Sequence, residues 1–363
     1  MCPGSAPSPC PESPAVPAVP GDRVVLGDPV VLESSERPPF LWRRPVHLFP
    51  GQGDFSVSTL VASAHATPGL RKAVHEVFEQ VDTVTAERGL PRLGPWLLGP
   101  EPPSGRALAG ATTGTSQLAL FGASVAVHRA LSEAYGVPSA AVGVSFGELA
   151  ALTAAGVFTV ADGARAAHDL ALALTFCPGG LTALACSERS ARELLEEAGV
   201  VGTRTGAPDV VVAVVNDERS VVVAGPVAAL ALVEKAAADR RVGAVRLRLP
   251  FSSHHPALGH AAREFATAVR AYPRSAARFP VHSAVAGRRY GPTDDLAARL
   301  ADCLVRPASV PPVLRQVLAY RPGVLFEAGT GSALASSART VLAADLDPAP
   351  AVHAPLAEPA FPW

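Results

Sequence analysis

This sequence lacks any marked imbalance of charge. Its 31 Lys and Arg residues stand against 32 Asp and Glu, a formal net charge of −1 over 363 residues, so no long-range field draws the whole chain onto nucleic acid or a membrane. No apolar run approaches the length of about 18 residues that spans a bilayer, and the N-terminus lacks the basic-then-apolar order of a signal peptide. A cytoplasmic location is the expectation. Cysteine is scarce and scattered: Cys2, Cys10, Cys177, Cys186 and Cys303 form no CxxC pair, which suits neither a disulfide framework nor a zinc site. The only adjacent histidines, His254 and His255, have no carboxylate or thiol at ligand spacing, so no metal is expected. No internal repeat is present, which sets aside solenoids and propellers.

What is there reads as a folded α/β protein. Hydrophobic residues make up 48% and charged residues 17%, with mean hydropathy +0.26, enough apolar area for a sizeable core. Residues 1–40 are a Pro-rich tail and lead-in, with seven prolines in the first twenty positions, and are expected to be partly disordered. Residues 345–363 again alternate Pro and Ala and are expected to lie as an extended strap or a loose end. Between them, a strand over 44–49 breaks at Pro50-Gly51-Gln52-Gly53, where glycines allow close backbone approach. A long buried helix is predicted over 114–135, then a short strand over 140–143 and a helix over 146–155. Residues 180–250 have another rhythm: strand, helix, two strands joined at Asn216-Asp217, helix, strand. That order is ferredoxin-like. The expected architecture is therefore a large α/β-hydrolase-like domain over 45–179 and 251–344, carrying an inserted ferredoxin-like subdomain that walls a cleft.

Two motifs carry chemistry. Gly143-Val-Ser-Phe-Gly147 matches the G-x-S-x-G elbow, in which a strained strand-to-helix turn lifts a serine oxygen above the sheet. Alone it also fits an ordinary turn. A serine nucleophile needs a base, and Phe251-Ser-Ser-His254-His255-Pro256 offers two histidines where the chain leaves the inserted module.

Together with Phe49-Pro-Gly-Gln-Gly53, Asn216 and Phe326-Glu-Ala-Gly329, these motifs resemble, in order and from about Val46 to Leu342, those of the malonyl-CoA:acyl carrier protein transacylase family. That family includes the acyltransferase domains of polyketide synthases. The resemblance implies Ser145 as the nucleophile, His254 as the base, and the backbone amides of Gln52 and Phe146 as the oxyanion hole. It implies that a backbone carbonyl orients the histidine, at a position that aligns near Cys303; Asp209, Asp217 and Asp239 remain as acids for a triad. It assigns Gln117, Val144, Leu170 and Ser253 to the substrate pocket. No bound cofactor is implied, since the substrate rides on coenzyme A or on the phosphopantetheine of a carrier protein.

Three positions depart from the family pattern. Val144 replaces the usual histidine before the nucleophile, and Asp54-Phe55 replaces the usual Ser-Gln after the glutamine turn. Leu170 stands where the family places an arginine that pairs with the free carboxylate of malonyl units. Burying a carboxylate without that partner costs several kcal/mol, and Arg165 lies well off the Leu170 face of a helix. Ser253 resembles the roomier, methylmalonyl-type class. An uncarboxylated acyl group is the expectation, and from length alone a free-standing acyltransferase of secondary metabolism; the alternatives are a proofreading hydrolase, a malonyl-type extender transacylase and a non-catalytic docking module. The partners implied are an acyl carrier protein and an acyl thioester donor. Carrier proteins present acidic helices, so Arg240, Arg241, Arg246 and Arg248, or Arg288 and Arg289, are docking candidates.

Overall fold

A computed structural model describes residues 44–53, 57–202, 209–346 and 348–363. The Pro-rich 1–40 tail and Asp54-Phe55 lie outside the described residues. The chain opens with β1 (Val46–Phe49), followed by helices α1 (Val57–Ala66), α2 (Pro68–Glu87), α3 (Leu93–Leu98), α4 (Gly105–Ala109) and α5 (Thr115–Tyr135). Strand β2 (Ala140–Gly143) then leads into α6 (Gly147–Ala154) and α7 (Val160–Leu174). Next come β3 (Gly180–Leu184), α8 (Glu188–Glu197), β4 (Val211–Asp217), β5 (Ser220–Gly225), α9 (Val227–Asp239) and β6 (Ala244–Arg246). The last part runs α10 (Gly259–Arg270), β7 (Val281–Ser283), β8 (Arg288–Arg289), α11 (Leu296–Val305), β9 (Ala308–Ser309), α12 (Val310–Val317), β10 (Val324–Glu327), α13 (Ala333–Asp345) and β11 (Ala351–His353).

Two sheets result. The first has the order β11-β10-β1-β2-β7-β8 and is parallel except for the terminal β7–β8 pair. Every residue of β1 and β2 is buried, as central parallel strands covered on both faces require. Helix α5 packs against α2, α6 and α7 and is buried nearly all round. By contrast α8 buries only Ala191, Leu194 and Leu195 and turns its charged face outward.

The second sheet has the order β6-β3-β5-β4-β9. Its antiparallel part comes from residues 180–246, but β9 enters from beyond them and pairs parallel with β4, Val214 opposite Ala308. No pattern in the sequence announces that strand. β4 also runs through Asn216 to Asp217, so the turn lies after the expected Asn216-Asp217. Residues 345–363 are not a loose end: β11 extends the first sheet beside β10, and Phe361 packs edge-on against Phe326 and close to Tyr135.

Candidate active site

The site is built at the end of β2. Gly143 and Gly147 flank the serine because nothing larger fits: a Cβ on Gly147 would lie 2.2 Å from the Phe49 carbonyl oxygen, and one on Gly143 would lie 2.7 Å from the Glu148 Cα. Ser145 itself takes φ 55°, a left-handed conformation that costs of order 1–3 kcal/mol for a side chain with a Cβ. The strain turns its Oγ toward His254, whose Nε2 is 2.7 Å away. The Gly51 turn comes alongside at ordinary van der Waals distance: a Cβ on Gly51 would lie 3.4 Å from the Val144 carbonyl oxygen and 3.8 Å from the Ser145 Cβ.

His254 is 2% exposed and also left-handed, at φ 57°. Its Nδ1 donates to the Arg306 carbonyl at 2.6 Å, which leaves Nε2 free to accept from the serine hydroxyl. The orienting carbonyl is therefore that of Arg306 and not that of Cys303. Pro307 explains the shift: a residue before proline is pushed out of the helical region, and Arg306, at φ −106° and ψ 147°, ends α11. Its carbonyl turns out of the helix toward the imidazole. Burial holds the His254 pKa down at about 4, against the opposing pull of the Arg306 carbonyl, so the ring is neutral at pH 7. Among the described residues no carboxylate meets Nδ1. Asp217 instead accepts from Ser337, and the Asp209 main chain accepts from His255 Nε2 at 3.2 Å. His255 Nδ1 accepts from the Ala257 amide, so the second histidine of the pair caps a turn and does not face the serine.

Behind the pair lies Glu148, the residue that ends the elbow motif, whose burial the sequence does not disclose. Glu148, three residues past Ser145, is fully buried. Its Oε1 accepts from Ser283 Oγ at 2.8 Å and the Val285 amide at 3.3 Å, and its Oε2 accepts from the Tyr290 hydroxyl. Burial raises its pKa to about 7, against the pull of these donors and of the Cys303 thiol. Cys303 sits in the last turn of α11, and the adjacent Leu304 carbonyl accepts from the His255 amide. A closed loop results: Ser145 to Glu148 along the start of α6, Glu148 to Cys303, Cys303 to Arg306, Arg306 to His254, and back to Ser145.

A cavity of about 800 Å³ reaches Gln52, next to the Gly51 turn, and neither Ser145 nor His254 lines it. Gln52, Gly53 and Gln117 line one part of it, and Gln117 Nε2 donates to Gln52 Oε1 at 2.9 Å. Leu247, Leu249 and Phe251, which follow β6, line another part of it. Leu170 belongs to the packed core of α7 at 3% exposure, while its neighbours Ala171 and Thr175 line the cavity. Val144 and Ser253 are buried. Arg165 is held by Glu87 and Asp162. Among the docking candidates, Arg240 pairs with Glu193 and Glu197, Arg246 with Glu234, and Arg288 with Asp294. Arg241 and Arg289 are exposed, and Arg248 lines the cavity. Among the described residues no group of His, Cys, Asp or Glu is placed to hold a metal, and no helix is long and apolar enough to cross a membrane.

A strained serine hydroxyl bonded to a neutral, carbonyl-oriented imidazole can be deprotonated as it attacks an acyl carbon. A family profile described as acyl transferase domain matches residues 33–359. The chain belongs to the acyl transferase domain family. It is 29% identical over 245 residues to the non-reducing polyketide synthase adaA of Aspergillus niger, covering 67% of this chain and 13% of that protein. It is 32% identical over 221 residues to the spectinabilin polyketide synthase system protein NorA' of Streptomyces orinoci, covering 58% of this chain and 6% of that protein. The chain thus spans a small part of these relatives. Among solved structures, the malonyl-CoA:acyl carrier protein transacylase FabD of Xanthomonas oryzae superposes with a TM-score of 0.72 at 24% identity, over 88% of this chain and 96% of that one. The acyltransferase domain from the second module of the salinomycin polyketide synthase gives 0.66 at 26% identity, over 85% and 68%. The mixed α/β fold with two sheets is that of the acyl transferase domain.

Proposed function

We propose that this acyl transferase domain moves an acyl group from a coenzyme A or carrier-protein thioester to an acyl carrier protein, in polyketide or related secondary-metabolite assembly. The carrying observation is the 2.7 Å contact between Ser145 Oγ and His254 Nε2, with Nδ1 on a backbone carbonyl. His254 takes the hydroxyl proton as Oγ attacks the thioester carbon, then gives it to the departing thiolate as the carbon–sulfur bond breaks. The acceptor thiol reverses these steps on acyl-Ser145. The amides of Gln52 and Phe146 receive the oxyanion; among the described residues neither donates to a backbone carbonyl, and Phe146 stands at the N-terminus of α6.

The transferred group is one without a free carboxylate. In support, Leu170 is packed in the core and the cavity wall on the same helix end presents Ala171 and Thr175, so no guanidinium stands at that position; the arginines of this cavity, Arg106, Arg246 and Arg248, come from other segments. A carrier-protein partner is supported by family membership and by a fold relative, at TM-score 0.70 and 22% identity, solved as a type II polyketide synthase acyl carrier protein in complex with its malonyl-transacylase. For the architecture, the order β6-β3-β5-β4 supports a ferredoxin-like insertion in a hydrolase-like body. Intact-protein mass spectrometry tests the function: incubation with a panel of acyl thioesters should add one acyl mass at Ser145, discharged by a carrier protein. Loading followed by release to water alone would make the protein a hydrolase, and no loading by any thioester would overturn the proposal.

A further inference from the structure

Ser145 holds a left-handed backbone at φ 55°, and such a conformation persists only where the surrounding structure over-determines it. On the entry side of the elbow the restraint is main chain. The Val144 amide donates to the Phe49 carbonyl at 3.0 Å, and the Gly143 carbonyl accepts from the Ala284 amide at 3.0 Å. On the exit side it runs through one side chain. Glu148 stands in the first turn of α6, its amide donates to the Ser145 carbonyl at 2.9 Å, and its carboxyl accepts from Ser283, Val285 and Tyr290. Ser283-Ala284-Val285, at the end of β7, therefore holds both ends of the elbow.

The donors are themselves fixed. The Ser283 hydroxyl accepts from the Ala286 amide at 2.8 Å, so its one proton is left for Glu148 Oε1. Tyr290 is delivered by the β7–β8 hairpin, where His282 pairs with Arg289 and the Tyr290 amide donates to the Val281 carbonyl at 2.9 Å. A buried carboxyl needs partners wherever it lies, and that need alone would make these bonds no more than the satisfaction of a core group. Two observations say more: the stretch that grips Glu148 also holds Gly143, and Glu148 bonds the main chain of Ser145. We propose that Ser283 and Tyr290 are positioning residues for the nucleophile, which hold the Ser145 turn in its left-handed form through the Glu148 carboxyl. Neither lines the cavity, so their effect falls on the chemical step and not on substrate binding. The inference rests on Ser145 as the nucleophile of acyl transfer, but the posture of that serine can be read without a thioester.

A fluorophosphonate reads it: Ser145 Oγ displaces fluoride from phosphorus as His254 takes the hydroxyl proton, and the added mass stays on the serine. Tyr290→Phe and Ser283→Ala should each slow that labelling about tenfold. Single-turnover acylation by a thioester should slow by the same factor with KM unchanged. Ser283→Thr, which keeps the hydroxyl, should restore most of the rate. Tyr320→Phe is the control, because it removes a hydroxyl that bonds His282 of the same strand; it should cost stability and leave both rates of the folded protein unchanged. Wild-type labelling rates in Tyr290→Phe and Ser283→Ala would overturn the positioning role. So would an equal slowing by Tyr320→Phe, or a rise in KM with the maximal rate intact. If thioesters fail to load the wild type while the fluorophosphonate labels Ser145 in a Tyr290-dependent way, acyl transfer falls and the positioning role stands. A wild-type Ser145 that the fluorophosphonate leaves unlabelled would overturn that role.

Discussion

Two buried imidazole contacts in this molecule look alike by distance and basicity. His254 Nε2 meets Ser145 Oγ at 2.7 Å, and His47 Nδ1 meets His128 Nδ1 at 2.8 Å. Burial lowers all three imidazoles: His254 to about 4, His128 to about 3, and His47 well below its usual value. The difference lies in the backbone and the surroundings. Ser145 and His254 both hold left-handed φ angles, which a fold keeps only where neighbouring structure over-determines them. His47 and His128 sit in regular β1 and α5, packed against Phe49, Phe279 and Phe326, and His47 Nε2 has no partner among the described residues. A depressed histidine pKa marks burial. Backbone strain and a hydroxyl within reach of the ring set the Ser145–His254 pair apart.

Removing the nucleophile should produce the largest contrast. Ser145→Ala abolishes acyl labelling because alanine fits the elbow but offers no oxygen; intact mass spectrometry reads this, and labelling at full extent would show that the acyl group sits elsewhere. His254→Ala should slow acylation about 10²- to 10⁴-fold, whereas His255→Ala should lower stability and leave the acylation rate nearly intact, since it caps a turn. The opposite ranking in single-turnover kinetics would exchange their roles. Because the folded His254 pKa is about 4, kcat/KM should stay level from neutral pH to about 5 and fall only as pH approaches 4. A fall centred at the ordinary histidine value of about 6.5 would mean that the ring is solvated when it works.

Much of this contrast is legible in the residues. The flanking glycines at 143 and 147 announce a crowded turn, and β1, β2 and α5 follow from their uninterrupted apolar runs. The expected orienting carbonyl falls three residues short of the observed one, although Pro307 is a readable signal that Arg306 leaves the helix. Glu148 belongs to the elbow motif, but its burial is invisible because a glutamate in the first turn of a helix ordinarily faces solvent; only the arrival of Ser283, Tyr290 and Cys303 from distant segments buries it. Arginine clusters mislead for the same reason. Sequence shows that Arg240 and Arg246 are near one another in the chain, but not that Glu193, Glu197 and Glu234 answer their charge. The parallel strand β9 depends on a two-residue contact, too short to leave a pattern.

The histidine pair in the core gives a mid-sized effect of a different kind. His128→Leu leaves His47 Nδ1 without a partner and should lower unfolding free energy by about 1–3 kcal/mol, while the double variant with His47→Leu should recover most of it, since two apolar groups leave nothing unsatisfied. Neither should change the acylation rate per folded molecule. Both wild-type rings have folded pKa values below the unfolded one of about 6.5, so the unfolded chain binds protons that the folded chain refuses. Their neutral state is fully favourable above that pH, and stability is lost as pH falls toward about 3. Glu148 acts in the opposite sense: its raised folded pKa contributes stability below its unfolded value of about 4.5, lost as pH rises through about 7. Urea unfolding between pH 7 and 5 should therefore show a shallower acid loss in the double variant than in wild type. An unchanged slope would show that the pair does not carry the acid sensitivity.

The smallest effect tests whether the closed loop positions the base or merely fills space. Cys303→Ala removes the thiol that meets Glu148 while keeping α11 helical, since alanine is the best helix former. With that link cut, the α11 terminus is held to the nucleophile side only through packing and the His255 amide on the Leu304 carbonyl. The Arg306 carbonyl should then orient His254 less firmly, and the acylation step should slow by about tenfold, equivalent to about 1.4 kcal/mol of barrier. KM should not move, because Cys303 does not line the cavity. Cys303→Ser should restore the rate, as a hydroxyl can donate to Glu148 from the same position. A purely structural role would give a different pattern: both variants would lose stability, and the single-turnover rate of the folded fraction would match wild type in each. Rescue by serine together with an unchanged KM would establish that Cys303 acts through Arg306 on the ring of His254.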